Sequence, residues 1–600
     1  MDNNIGSKRE QFDSEAAEIR GIIYSLINDG NLDVAKQVLE QYLLINPMDP
    51  EIGNMKNLIY TEGSDTKAND FEVPEEYGIL NGIETIFVLA GIIFKRVGSI
   101  DSALRKIKLM EDRWGYRPLI LTCIHNIENR QARTWLETAF GDDQITLNPG
   151  TRMINVYEHF QKSYAEGLEN IAVYTRADDG TRYVEKAENV YEVYDENKLV
   201  RKEYYNGYAG SLRMKSFYDD DGNRCMDMIY DDWGYLNYTR EYNTDINDLQ
   251  GEKYYTTDGD LCLESFYRQT KDGKDHIMEK LIHYDSQGNI IGEYESSADL
   301  AAVYLDQIMR NDKFYILMVE DGLMSTAATK LNPERKNVAK CEIVHNIFLS
   351  DAYDLKSEPQ KYYDYLCRNH QKFDGIVMLT QDAKNDFQKL YGNPEKVFVI
   401  PHPYPYDIHK VDYETRDNRK VVIVSRLNHT KMVDVSVDIF AMVLKAVPDL
   451  KLEIYGRGDE EEKLRKQIKK LGIENSAFLM GYTDDPLSTF KGAAMFMMTS
   501  WAEGFGMTLM ESICNGCPAF AFDIKYGPSE IIIDGQTGFL VPRFNKEIFA
   551  KKMIEFFSNE DLQREMSENC YADVGRFSTD KFMENWFDMT ETLYKRHGDK

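Results

Sequence analysis

Long hydrophobic runs are missing from this sequence. The strongest apolar stretch, 83–94, contains Glu84 and is too short to span a bilayer. The opening MDNNIGSKREQFDSEAAE is too polar for a secretory leader. Both absences predict a cytoplasmic protein with no transmembrane segment, and leave peripheral attachment to the inner membrane face as the alternative location. Cysteine is sparse as well. Eight residues in 600, scattered from Cys123 to Cys570, make no disulfide framework and suit a reducing compartment. The single C-x-x-C, Cys514 to Cys517, has no second pair or nearby histidine to complete a zinc site, so no metal is expected there. Positive charge is the third shortage: Lys and Arg number 71 against 101 Asp and Glu, a formal charge of -30. Such a field repels nucleic acid and anionic lipid. A modest local exception is Lys95, Arg96, Arg105, Lys106 and Lys108, a candidate groove for a polyanion.

Six hundred residues exceed a single core, so two to four domains are expected. Residues 1–61 predict a helical hairpin, with Asp29-Gly30 between two amphipathic segments and an NPMDPE ending like that of one tetratricopeptide repeat. One repeat cannot bury its own face, which predicts packing on another protomer, a partner or the rest of the chain. Residues 62–76 read as a linker. An α/β domain of Rossmann type is expected over 77–136 and 298–405, and a second over 406–600. From 137 to 297 the texture changes to tyrosine and β-branched segments of period two. These are separated by YDDDGN (218–223), YDDWG (230–234), TTDGD (256–260), TKDGK (270–274) and YDSQGN (284–289). They predict antiparallel hairpins. The aspartates recur once per hairpin rather than converging, and tight turns require Asp and Gly, so turn chemistry outweighs a calcium site. The tyrosines are suited to stacking on sugars or on a partner sheet, making the insertion a platform for acceptor or partner.

Chemistry concentrates toward the C-terminus. In SWAEGFGMTLMES, Glu503 and Glu511 stand eight residues apart around a Gly-Phe-Gly turn. A helix starting near Gly506 would aim the free N-H groups of Phe505, Gly506, Met507 and Thr508 outward, where a diphosphate can be held. Glu511, a turn further in, would accept from ribose hydroxyls, while Glu503 reaches the sugar or supports the turn. A helix that merely opens with an acidic residue and a glycine turn would read the same way in isolation. Upstream, VVIVSRLNHTKMVD sends a buried strand, 421–425, into Arg426 and Lys431. Cations leaving a parallel strand lie where open α/β sheets bind ligands, and this pair matches two phosphates that gain charge as a nucleotide departs. Between these motifs come Gly456-Arg457-Gly458, where glycine allows close backbone approach, and Gly481-Tyr482.

This ordered set, with Tyr526-Gly527-Pro528 following, resembles the nucleotide-binding half of retaining GT-B glycosyltransferases of the GT4 type, from about Arg419 onward. Within that group it looks most like bacterial enzymes that place N-acetylglucosamine on serine-rich adhesins or on poly(ribitol phosphate) teichoic acid, which also carry a β-rich insertion. The resemblance implies two Rossmann-like domains facing a cleft, a UDP-sugar donor, and no cofactor or catalytic metal. It implies that Arg426 and Lys431 stabilise the leaving diphosphate, with Glu503 near the reacting carbon. Gly456, Gly458, Tyr482, Phe505, Gly506, Met507, Thr508 and Glu511 would bind the donor. Gly98 and Ser99 would do so from the first strand-to-helix loop, although the group often has two glycines there. His345, ending the 340–344 strand, would contact the donor sugar, its carbonyl facing the developing oxocarbenium ion. His402, in Pro-His-Pro at the hinge, reads as an interdomain hydrogen-bonder. The implied partners are a nucleotide sugar, a protein or polymer acceptor, and a companion subunit or second copy. A non-catalytic or partner-dependent subunit of a glycosyltransferase complex is the alternative, but all four of Arg426, Lys431, Glu503 and Glu511 are present. A glycan phosphorylase would need a pyridoxal-binding lysine context that is not evident.

Overall fold

The computed structural model describes residues 73–91, 98–125, 152–162, 180–205, 212–231, 234–246, 248–270, 275–483 and 485–598, with Ile19, Ile22, Ile23, Leu26, Val34, Ala35, Val38 and Leu39. Those eight positions are helical, with amphipathic spacing. The remainder of the expected hairpin, and 62–72 of the expected linker, lie outside the described residues. The chain divides into two compact units, 1–312 with 326–335 and 313–325 with 336–600. No helix among the described residues is long and apolar enough to cross a membrane.

In the first unit, β1 (Ile83–Leu89), β2 (Leu119–Thr122) and β3 (Arg152–Asn155) run parallel in that order. The parallel sheet thus takes in Arg152–Asn155, although the change of texture at Glu137 would put that stretch in the insertion. The helix Gly98–Trp114 joins β1 to β2. It starts earlier than the expected loop at 96–101 allows, so Gly98 and Ser99 are its first helical residues; their side chains are outside the description. Of the cations expected to line a basic groove, this helix withdraws one and pairs another. Lys106 is buried, 6.0 Å from the Phe87 ring centre, and Lys108 pairs with Asp112; Lys95 and Arg96 lie outside the described residues.

The insertion is a ten-stranded antiparallel sheet in sequence order. Its strands are β4 (Arg182–Ala187), β5 (Val190–Asp195), β6 (Lys198–Tyr205), β7 (Leu212–Tyr218), β8 (Arg224–Tyr230), β9 (Leu236–Asn243), β10 (Asp248–Tyr255), β11 (Leu261–Gln269), β12 (His276–Tyr284) and β13 (Ile290–Tyr294). The turn aspartates serve the backbone. Asp219 accepts from the N-H groups of Asp221 and Asn223, and Asp285 from those of Gln287 and Asn289, with Gly222 and Gly288 at positive φ. Several tyrosines, expected to offer faces to sugars, spend their hydroxyls on buried acids. Tyr205 donates to Glu203 (2.6 Å), Tyr242 to Asp227 (2.8 Å), and Tyr254 and Tyr267 to Glu252 (2.6 and 2.8 Å). An uncompensated buried carboxylate would be costly, so these bonds hold the sheet's polar interior together.

The second unit contains β14 (Phe314–Val319), β15 (Val338–Val344), β16 (Gly375–Met378) and β17 (Val397–Val399), all parallel. The sequence FYILMV of β14 is apolar without alternation because every one of its side chains is buried. Glu342 is the exception inside this core. Ser325 lies 2.6 Å from one carboxyl oxygen and the other has no hydrogen-bond partner among the described residues, so burial pushes the group up to about 8 from 4.5. Folded Glu342 keeps its proton across an interval in which the unfolded chain has lost it, so stability falls as pH rises from about 4.5 to about 8. Glu342→Gln should flatten that slope and raise the urea midpoint at pH 8 more than at pH 5. Equal shifts at both would contradict the assignment.

The last sheet comprises β18 (Asp417–Val424), β19 (Lys451–Tyr455), β20 (Ala477–Gly481), β21 (Ala493–Met498), β22 (Ala519–Asp523) and β23 (Gly538–Pro542), in the order β20-β19-β18-β21-β22-β23. All neighbours are parallel. The terminal helix Thr579–Gly598 returns to the β14–β17 sheet: the Tyr594 and Phe314 rings are 5.4 Å apart, and Arg596 donates to the Glu395 carbonyl at 2.7 Å.

Candidate active site

Strand order in the last sheet reverses between β18 and β21, and ligands of open α/β sheets bind in the crevice outside the carboxyl ends of strands at such a switch point. The loop after β18 carries Arg426 and Lys431, and the loop after β21 carries Glu503. Asn428 shapes the first loop by accepting from the Lys431 N-H, and Met432, at φ 47°, turns the chain into the helix Val433–Val443. Cross-links fasten the two loops together. Trp501 N-H donates to the Thr430 carbonyl at 2.9 Å, and Thr499 Oγ1 donates to the Met432 carbonyl at 2.8 Å. Lys431 Nζ reaches both oxygens of Glu503, at 2.7 and 2.8 Å, in a largely buried pair. Arg426 is exposed and makes no hydrogen bond or ion pair among the described residues.

Gly506, at φ 101°, ends the second loop, and the helix Met507–Cys514 begins one residue later. Its first backbone bond runs from Leu509 N-H to the Gly506 carbonyl, so the N-H groups of Met507 and Thr508 precede the hydrogen-bonded turn. Glu511 is half-buried on the same helix. The Phe505 side chain is buried, its ring edge-on to His402 at 5.7 Å. The glycines after β19 answer to packing between loops. A Cβ on Gly456 would stand 1.8 Å from the Ser425 carbonyl oxygen, and one on Gly458 would stand 2.2 Å from that of Leu427. Tyr482 is exposed beside Arg457, whose guanidinium carbon is 5.9 Å from its ring centre.

His345 follows β15 and belongs to the same unit. Its Nε2 is 2.8 Å from the Glu320 carboxylate, and its ring stacks on His402 at 5.8 Å and 7°. A Cβ on Gly504 would meet the His345 carbonyl oxygen at 2.2 Å, so the Glu-Gly-Phe-Gly turn rests directly on this histidine's backbone. His345, Lys431 and Glu503 are therefore brought together with the start of the helix Met507–Cys514, whereas Gly98 and Ser99 lie in the other unit. Sequence reading missed Gly504 and Glu320. The glycine stood inside the quoted motif, and only its contact shows why a side chain is excluded; Glu320 carried no signal beyond ending a buried strand.

A latch flanks this crevice. Glu530 accepts from the N-H groups of Gln381 and Asp382, both at 2.9 Å, at the start of the helix Gln381–Tyr391. Lys525 and Tyr526 both bond Asp386 on that helix. Burial alone would raise the Asp386 carboxyl, but bonds from Lys525 and Lys389 hold it below its ordinary value. Removing a cap that satisfies two end N-H groups costs about 1–2 kcal/mol. Glu530→Ala should lose that much in urea denaturation, while an unchanged midpoint would mean that water replaces the carboxylate.

Residues 407–573 match the family described as glycosyl transferases group 1, so the match spans most of the last sheet and its helices. The chain is 24% identical over 506 residues to the poly(glycerol-phosphate) alpha-glucosyltransferase of Bacillus subtilis (strain 168), covering 83% of this chain and 74% of the relative. It is 24% identical over 475 residues to the poly(ribitol-phosphate) alpha-N-acetylglucosaminyltransferase of Staphylococcus aureus (strain COL), covering 74% and 88%. The crystal structure of the S. aureus TarM G117R mutant, in complex with fondaparinux, alpha-GlcNAc-glycerol and UDP, superposes with a TM-score of 0.67 at 20% identity, over 84% of this chain and 99% of that one. The chain is a glycosyltransferase of the GT-B type. It resembles the GT4 group, and its antiparallel sheet is inserted in a GT-B glycosyltransferase framework.

Proposed function

We propose that this glycosyltransferase moves N-acetylglucosamine, with retention of configuration and without a metal ion, from UDP-N-acetylglucosamine to a cell-wall polymer or surface protein. The observation that carries the reading is the placement of Arg426 and Lys431 at the switch point, beside Glu503 and the start of the helix Met507–Cys514. Two cations, Lys431 held by Glu503 and Arg426 exposed, and a helix N-terminus supply the charge that a departing diphosphate requires. The acceptor hydroxyl attacks C1 on the face from which the diphosphate leaves; the C1–O bond to phosphate breaks, and the acceptor proton passes to the departing phosphate oxygen. The relatives' names support α-linked products on polyol phosphate polymers, and an α-linked product from an α-configured UDP-sugar is retention. They differ between glucose and N-acetylglucosamine, so the test is a panel of labelled UDP-sugars in the presence of EDTA. UDP release is expected to be fastest with UDP-N-acetylglucosamine and undiminished by chelator. Loss of all turnover in EDTA, restored by manganese, would refute metal independence, and preference for another sugar would reassign the donor.

A further inference from the structure

Glu320 and His345 each follow directly on the carboxyl end of adjacent parallel strands, β14 and β15. The Glu320 side chain is fully buried, whereas the imidazole retains partial access. Their 2.8 Å contact engages Nε2, and with Glu320 ionised by its histidine partner the carboxylate can only accept, so we assign the proton to Nε2. That fixes the tautomer: in the neutral ring Nδ1 is the acceptor, and it makes no hydrogen bond among the described residues. The rest of the histidine is equally constrained. Its N-H takes the Tyr363 hydroxyl oxygen at 3.1 Å, its carbonyl abuts Gly504, and His402 stacks on its ring. Every rotation that would present Nε2 to the crevice breaks the contact with Glu320.

We propose that Glu320 is the positioning residue for His345, holding it with Nδ1 as the ring atom offered to a hydroxyl of the transferred sugar. This rests on the proposed function for its kinetic consequence, though not for the tautomer itself. Losing a hydrogen bond to a charged group costs roughly ten- to hundred-fold. Glu320→Gln keeps the shape, removes the charge and can present an N-H to the ring, allowing the opposite tautomer. It should therefore lower kcat by that factor while UDP affinity, measured by calorimetry, stays within about two-fold, because the nucleotide motifs lie elsewhere.

The deciding experiment combines a double-mutant cycle with nitrogen-15 spectroscopy. If Glu320 acts through His345, adding Glu320→Gln to His345→Ala costs nothing further; an equal loss in both backgrounds would overturn the proposal, as would an unchanged kcat in the single variant. In the unsubstituted protein, the histidine resonance that disappears in His345→Ala should show the Nε2-H tautomer. An Nδ1-H tautomer would overturn the proposal without reference to turnover. A chain that releases UDP from no sugar nucleotide would defeat the functional reading instead, with the spectrum still deciding Glu320.

Discussion

Arg426→Ala should cost this glycosyltransferase about a hundred- to thousand-fold in kcat/KM while leaving Tm in place. The asymmetry follows from what the two cations touch. Arg426 stands exposed with no ion-pair partner among the described residues, so its loss removes only an interaction made with the substrate. Lys431 is different, because both of its contacts go to a Glu503 that is itself largely buried. Lys431→Ala should match the loss of turnover and also destabilise the fold by about 1–3 kcal/mol, the cost of an acceptor left unpaired. Adding Glu503→Ala should recover the stability but not the activity. Scanning calorimetry and UDP release separate the two effects; equal Tm losses for the two single variants would show that Arg426 is also part of the resting structure.

Gly504→Ala should be nearly as damaging, through geometry alone. The added carbon would lie 2.2 Å from the His345 carbonyl oxygen and 2.6 Å from the Asn346 Cα, both backbone atoms that cannot rotate aside. The turn bearing Glu503 must then lift away from His345. A displacement on the order of 1 Å at a reacting centre costs roughly a hundred-fold in rate. Gly575→Ala provides the control, since nothing among the described residues lies within 4 Å of its added carbon. Kinetics of both variants, with Tm to confirm folding, test the idea, and a Gly504→Ala enzyme with wild-type kcat would show that the turn yields freely.

Most of the architecture was legible because parallel strands buried on both faces are written as uninterrupted apolar runs. FYILMV could be placed within a residue, VVIV marked the buried half of a strand that begins four residues earlier at Asp417, and Asp-Gly turns marked the hairpins. Side-chain destinations were harder. Arg426 and Lys431 could be assigned to a strand end from their spacing, but the capture of Lys431 by Glu503, 72 residues away, is a tertiary fact. The tyrosines of the insertion illustrate the same limit: composition announces an amphipathic ring, whereas only packing reveals that Tyr254 and Tyr267 turn inward to one glutamate. Lys106 read as part of a basic surface because cations cluster around it in the sequence, whereas it is buried with its ammonium 6.0 Å from the Phe87 ring centre.

The return of the helix Thr579–Gly598 to the β14–β17 sheet bears on how the molecule is made. Phe314 and Glu395 meet partners that leave the ribosome roughly 200 or more residues after them. Through that interval the sheet has an uncovered apolar flank while the whole β18–β23 sheet is being synthesised. Contacts this distant in sequence form late and expose intermediates to aggregation. Shortening the gene from its 3′ end should thus impair solubility of the earlier sheet before it affects the later one, even though the deleted residues follow the later sheet in the chain.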